Sequence, residues 1–206
     1  MTNTFTTGDL IFFRGNKKSL IDEVIMDVSD SPYSHVGMII VDPIWDKTLK
    51  GPYLLQSASG YSYSEEDREE EKGVTLTSVP ENLDGVDIRR YKGKMNMEML
   101  KKVHDEVHHQ PYDTNVWDWI KAGLSHLGFS RWIQNERHDN NFWCSALVAF
   151  VYVKMGILPE KTNWSNLAPG DLAEMKINDL GSIESLEKEK VVEGNEYDYY
   201  NYDNFY

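Results

Sequence analysis

The chain has one cysteine, Cys144, and it heads the run Asn141-Phe-Trp-Cys-Ser-Ala-Leu-Val-Ala-Phe-Val-Tyr-Val-Lys-Met-Gly156. From Trp143 to Met155 every residue except Cys144, Ser145 and Lys154 is aliphatic or aromatic. A segment apolar on all sides is a core helix, and this one is too short to cross a bilayer. Asn140 or Asn141 is the expected N-cap, and Lys154, Gly156 and Pro159 mark the stop. Cys144 therefore falls in the first turn, where the positive end of the helix dipole favours a thiolate. A buried cysteine can equally be a small hydrophobe, so a catalytic reading requires a partner base.

A cysteine hydrolase needs a thiol, an imidazole to take its proton, a third group to orient the ring, and donors for the oxyanion. Tyr33-Ser-His-Val-Gly-Met-Ile-Ile-Val41 supplies His35 at the head of an apolar strand pattern. Alternation puts His35, Gly37 and Ile39 on one face, and Gly37 leaves room beside the imidazole for another group. Gln56 interrupts the next strand pattern, Tyr53-Leu-Leu-Gln-Ser57, which is expected to pair with the strand of His35. Gln56 can accept from one ring nitrogen while the other faces sulfur. Being neutral, it orients the ring without the charge stabilisation a carboxylate gives. His138 is the rival base, but its place just ahead of the cap points it to solvent.

These segments resemble a known family. Gly8-Asp-Leu-Ile-Phe-Phe, Ser34-His-Val-Gly-Met-Ile-Ile and Phe142-Trp-Cys-Ser-Ala-Leu-Val-Ala-Phe-Val-Tyr are similar to the circularly permuted branch of the NlpC-type, papain-like cysteine hydrolases. That branch includes bacterial YiiX-like proteins, relatives in large DNA viruses and the lecithin–retinol acyltransferase group. In it the histidine strand precedes the cysteine helix, as it does here. Tyr53-Leu-Leu-Gln-Ser, Tyr112-Asp113 and Ala168-Pro-Gly-Asp-Leu172 are weaker echoes, so the resemblance runs from about Gly8 to Leu172. It implies an α+β fold in which an antiparallel sheet or half-barrel packs against helices. It also implies attack by Cys144 on an amide or ester carbonyl through an acyl-enzyme, with His35 as base then acid and Gln56 as orienter. The backbone N–H of Cys144 would help to hold the oxyanion. Gln56 departs from the Glu more usual in the family. The substrate would be a peptide amide or an acyl lipid. The competing function is a catalytically inactive papain-like domain used for binding, although such a module needs neither Cys144 nor His35.

The remaining elements must position this pair. Gly8 to Arg14 reads as a strand, Lys17 to Val28 as an amphipathic helix with Leu20, Ile21, Val24, Ile25 and Val28 on one face, and Val74–Val79 and Val86–Tyr91 as two more strands. Ser64 to Lys72 is a charge run, expected to be a solvated loop that could overhang the cleft as a lid disfavouring anionic substrates. Met97 to Gln110 and Asn115 to Leu127 read as helices, the second with Trp117, Ile120, Leu124 and Leu127 at helical spacing. Trp164 to Leu172 is a turn-rich connector leading into a short helix. His104 and His108 lie four apart with His109 adjacent. That spacing suits a metal, but the Glu of a His-Glu-x-x-His site is missing and no third ligand is evident. They are read as surface histidines, and neither a metal nor a cofactor is expected.

At 206 residues with 40% apolar composition the chain can bury a sizeable core. Residues 1–192 read as one domain, and 193–206 as an acidic tail with five tyrosines, expected to be disordered and able to dock on a protein partner. A net charge of −13 argues against non-specific nucleic-acid binding. One cysteine excludes an internal disulfide and a Cys-based zinc cluster, and suits a reducing compartment. No run of about 18 apolar residues is present and the first residues lack signal-peptide order, so a cytoplasmic protein without an integral membrane segment is expected.

Overall fold

The structure, a computed structural model, describes residues 4–15, 25–26, 29–112 and 143–186. It is a mixed α+β fold built on a six-stranded sheet: β1 (Leu10–Arg14), β2 (Tyr33–Val41), β3 (Pro52–Ser64), β4 (Glu69–Ser78), β5 (Val86–Tyr91) and β6 (Leu180–Ser185). The spatial order is β4-β3-β2-β1-β5-β6, and every neighbouring pair is antiparallel. Three α-helices are described: α1 (Met97–Val107), α2 (Cys144–Lys154) and α3 (Pro169–Glu174). A 3-10 turn at Trp164–Asn166 precedes α3. Among the described residues no helix is long and apolar enough to cross a membrane.

Both faces of the sheet are apolar near its centre, so the strand pattern reads as two interleaved sets. Leu10 and Phe12 on β1, Val36, Met38 and Ile40 on β2, and Leu55 on β3 join the main core with Leu147, Val151 and Tyr152 of α2. Ile11, Ile39, Leu54, Val86 and Ile88 form a second, smaller core on the other face, closed by Leu186. Helix α2 is buried without a break from Cys144 to Tyr152, which is why its sequence shows no polar stripe. Its end matches the expected stop, with Met155 as C-cap and Gly156 at φ +73°.

Several elements differ from the sequence expectation. The charge run is not a loop: β3 continues to Ser64 and β4 begins at Glu69, so the acids occupy a tight turn and the start of a strand. No lid is built from it. The strand expected from Val74 begins at Glu69, since pairing with β3 overrides the low strand propensity of Glu and Lys. Strand β6 carries too weak a pattern to be read in advance, and pairs with β5 at the sheet's far edge. Helix α1 ends at Val107, three residues early, because His109 takes φ +60°. The helices expected at 17–28 and 115–127, His138, Asp113 and the tyrosine-rich tail lie wholly or largely outside the described residues.

Candidate active site

Cys144 is the first residue of α2. The N-cap is Trp143 in an extended conformation with no side-chain cap bond, not Asn140 or Asn141. The helix start is instead held from outside. Trp143 Nε1 donates to Ser165 O at 3.1 Å, and Ser145 Oγ donates to Leu167 O at 2.6 Å. Among the described residues no side chain caps the first turn, and its N–H groups act on the thiol. The sulfur is buried, and burial pushes the thiol up to about 11, although the N–H groups of Val36, Ser145 and Cys144 itself pull the other way. Desolvation thus outweighs the helix-terminus effect, and the resting group is a thiol, not the thiolate expected from the dipole alone.

His35 lies near the start of β2, with its ring 5.5 Å from that of its ladder partner Phe13. Its Nε2 is 2.8 Å from Gln56 Oε1. The direction of that bond follows from the next one: the Gln56 amide nitrogen donates to Thr77 Oγ1 at 3.1 Å, and the Thr77 hydroxyl is directed to Leu54 O at 3.5 Å. The Gln56 end facing the ring is therefore its carbonyl oxygen, which can only accept. Nε2 carries the proton, and Nδ1 is the unprotonated nitrogen. Burial pushes the His35 pKa down to about 4, partly countered by the bond to Gln56. Gln56 and Thr77 are both buried.

The sulfur and the imidazole meet the same strand at consecutive residues. Ile39 N–H bonds Asp9 O, just ahead of β1, at 2.8 Å, so the N–H groups of Met38 and Val36 point to the β3 side. The β2–β3 ladder runs from Val41↔Pro52 to Met38↔Leu55. Two residues beyond its last pair, the Val36 backbone lies near enough to Cys144 to pull its thiol pKa down. Strand β3 has left β2 here, and the start of α2 stands at the opening. The same register carried onward sets Gln56 opposite Gly37, within diagonal reach of His35.

Gly37 does not leave vacant space beside the ring. A Cβ there would lie 2.6 Å from Leu54 Cδ1 and 3.1 Å from Leu55 O, so Leu54 already fills the site. Thr77 was not legible in advance, because its place diagonal to Gln56 depends on the Leu54↔Thr77 register. In Ala168-Pro-Gly-Asp-Leu172, Asp171 accepts the Ala168 N–H at 2.8 Å to start α3, and Gly170 abuts Ser31, where a Cβ would lie 2.4 Å from Ser31 Cβ. That segment braces the approach to β2 rather than offering a reactive group. His104, read as a surface residue, is 2% exposed and stacks against Trp45 with ring centroids 4.3 Å apart.

Among solved structures the chain is similar to the crystal structure of the metalloprotein YiiX from Escherichia coli O157:H7, a DUF1105 protein. The TM-score is 0.53 at 17% identity, over 89% of this chain and 98% of that one. The fold is YiiX-like. No protein-family model matches the sequence, and no curated protein matches it. Within the YiiX-like fold, the inner strands β2 and β3 carry His35 and Gln56, and α2, which begins at Cys144, packs against both.

Proposed function

We propose that this YiiX-like protein is a cysteine-dependent hydrolase or acyltransferase of the permuted, NlpC-type papain-like kind, acting on an amide or ester carbonyl. Cys144 is the nucleophile, His35 the base and then the acid, and Gln56 the positioning residue. The observation that carries this reading is the Gln56–His35 bond, 2.8 Å long, whose direction leaves Nδ1 as the basic nitrogen, one residue from the Val36 backbone that acts on the thiol.

The two reacting groups rest neutral, since burial raises the thiol and lowers the imidazole. The proton therefore moves as sulfur attacks, not beforehand. The S–C bond forms, the thiol proton passes to Nδ1, and the carbonyl electron pair moves onto oxygen, where first-turn N–H groups receive it. Collapse of the tetrahedral intermediate breaks the bond to the leaving group, which takes the proton from Nδ1. Water, or an acceptor alcohol or amine, then attacks the thioester with His35 again as base. Gln56 holds the ring tautomer throughout but offers no charge to the imidazolium.

The test is incubation of wild type and Cys144→Ala with a mixed panel of peptide amides and acyl lipids, with products read by mass. Cleavage or acyl transfer by the wild type alone supports the reading and assigns the substrate class. Identical product spectra for both would leave the binding-module alternative.

A further inference from the structure

We infer that Glu66, His104 and His108 form a binding site for a divalent transition-metal ion, zinc above all, which fastens the β3–β4 turn to helix α1. His104 and His108 stand one helical turn apart on α1, and the carboxylate comes from the turn between two strands. One ligand atom from each lies within 4.8 Å of the others. His104 Nε2 is 3.0 Å from Glu66 Oε2, and His108 Nε2 is 3.7 Å from the same oxygen. Ligand atoms at about 2.0–2.2 Å from a tetrahedral zinc stand about 3.4 Å from one another, so these separations bracket the required edge.

Two of the three ligand residues lack any other partner for their buried atoms. Both ring nitrogens of His104 and Oε2 of Glu66 are buried without a hydrogen-bond partner, a state that is costly unless something else satisfies the orphaned groups. His104 Nε2 and Glu66 Oε2 are close enough for a hydrogen bond yet lack its angles. That geometry is expected of two ligands aimed at a common point instead of at each other. The donor set, two imidazoles and a carboxylate, suits zinc and not the all-oxygen preference of calcium or magnesium. Asp67 Oδ2, 2.9 Å from His108 Nε2, competes with the ion for that nitrogen.

The two halves of the site are fixed to each other before any ion arrives. Val74 N–H donates to Gln110 O at 2.9 Å. Gly73, at φ +92°, comes so close that a Cβ would lie 2.3 Å from that oxygen. A second trio, Asp67, His108 and His109, shares His108, but its His109 side chain is 57% exposed. His104, buried and unpartnered, decides for the inner trio.

The test uses tag-free full-length protein, stripped with chelator and titrated with Zn²⁺ by calorimetry and with Co²⁺ by visible absorption. The expected result is one equivalent bound, ligand-field bands of low-symmetry Co²⁺, and a rise in Tm with zinc. His104→Gln and Glu66→Gln should each weaken binding by more than about 100-fold, with metal-free circular dichroism unchanged. Two variants separate the protein's other metal-capable groups: His109→Ala and Cys144→Ser should bind as wild type does. Absence of saturable binding in wild type, wild-type affinity in both His104→Gln and Glu66→Gln, or loss of binding in Cys144→Ser would overturn the site. None of these outcomes depends on whether Cys144 is catalytic.

Discussion

The backbone of Val36, the residue after His35, lies near enough to the Cys144 sulfur to pull its thiol pKa down against the larger effect of burial. The β2–β3 ladder stops short of Val36, its last pair being Met38↔Leu55. The helix that begins at Cys144 packs against both strands, beside the stretch of β2 that carries His35. Separation of β2 from β3 is therefore part of the site.

Gln56 orients the ring through one neutral bond, so its removal should be costly and its conversion to a carboxylate tolerated. Gln56→Ala is expected to lower kcat by about 100-fold, the scale on which small losses of orientation act. Gln56→Glu should retain or increase activity, because its second oxygen can accept from the Thr77 hydroxyl while the first still accepts from His35. Steady-state kinetics of the two variants check this. Equal, wild-type rates in both would remove Gln56 from the machinery.

Thr77 fixes which end of the Gln56 amide faces His35. Thr77→Val leaves a buried amide N–H without its acceptor, a loss of about 1–3 kcal/mol, and frees the amide to turn over. The expected result is a fall in kcat with KM little changed, and recovery in Thr77→Ser. A purely structural role would lower Tm while leaving the kcat of the folded fraction intact.

The pH behaviour follows from burial. His35 is neutral down to about 4, so kcat/KM should stay flat through the mildly acid range and fall as pH drops through about 4, where the base is protonated. A conventional histidine would give a limb near 6.5. Stability has two edges. His35 has a folded pKa below its unfolded value, so the unfolded chain binds more protons and stability is lost as pH falls from about 6.5 towards 4. Cys144 has a folded pKa above its unfolded value, so stability is lost as pH rises from 9 towards about 11. Tm against pH for wild type, His35→Asn and Cys144→Ala checks both, since each variant should flatten its own edge.

Gly37 is required by Leu54, not by a substrate. Gly37→Ala puts a methyl 2.6 Å from Leu54 Cδ1, and such overpacking costs about 1–3 kcal/mol. It should also displace the strand that carries Gln56 and lower kcat. Adding Leu54→Ala should restore part of both, as measured by thermal melts and turnover. Additive losses in the double variant would contradict the contact.

The sequence made the helix of Cys144, the strand of His35 and the strand of Gln56 readable because each is an apolar run broken by few polar residues. Their order and types suggested a shared site before any register was known. What escaped notice depends on contacts between distant segments. Thr77 matters through its diagonal to Gln56, and Glu66 meets His104 only because a charge-rich stretch forms a tight turn against α1. Local composition predicts such a stretch to be solvated, and neither the hairpin nor the burial of His104 is encoded within a short window. The expected thiolate failed for a similar reason: a helix terminus is visible in sequence, whereas the depth at which its first residue is buried is not.

The most direct measurement of the central claim uses the single thiol as its own reporter. Full-length wild type and His35→Ala are labelled with a thiol-reactive probe at neutral pH, and the rate of modification of the Cys144 peptide is followed by mass. If His35 takes the thiol proton, wild type labels faster and the variant slows by about 100-fold or more, the scale of general-base assistance, with both proteins folded by circular dichroism. Equal labelling rates in the two folded proteins would mean that His35 does not act on Cys144, and the hydrolase reading would fail.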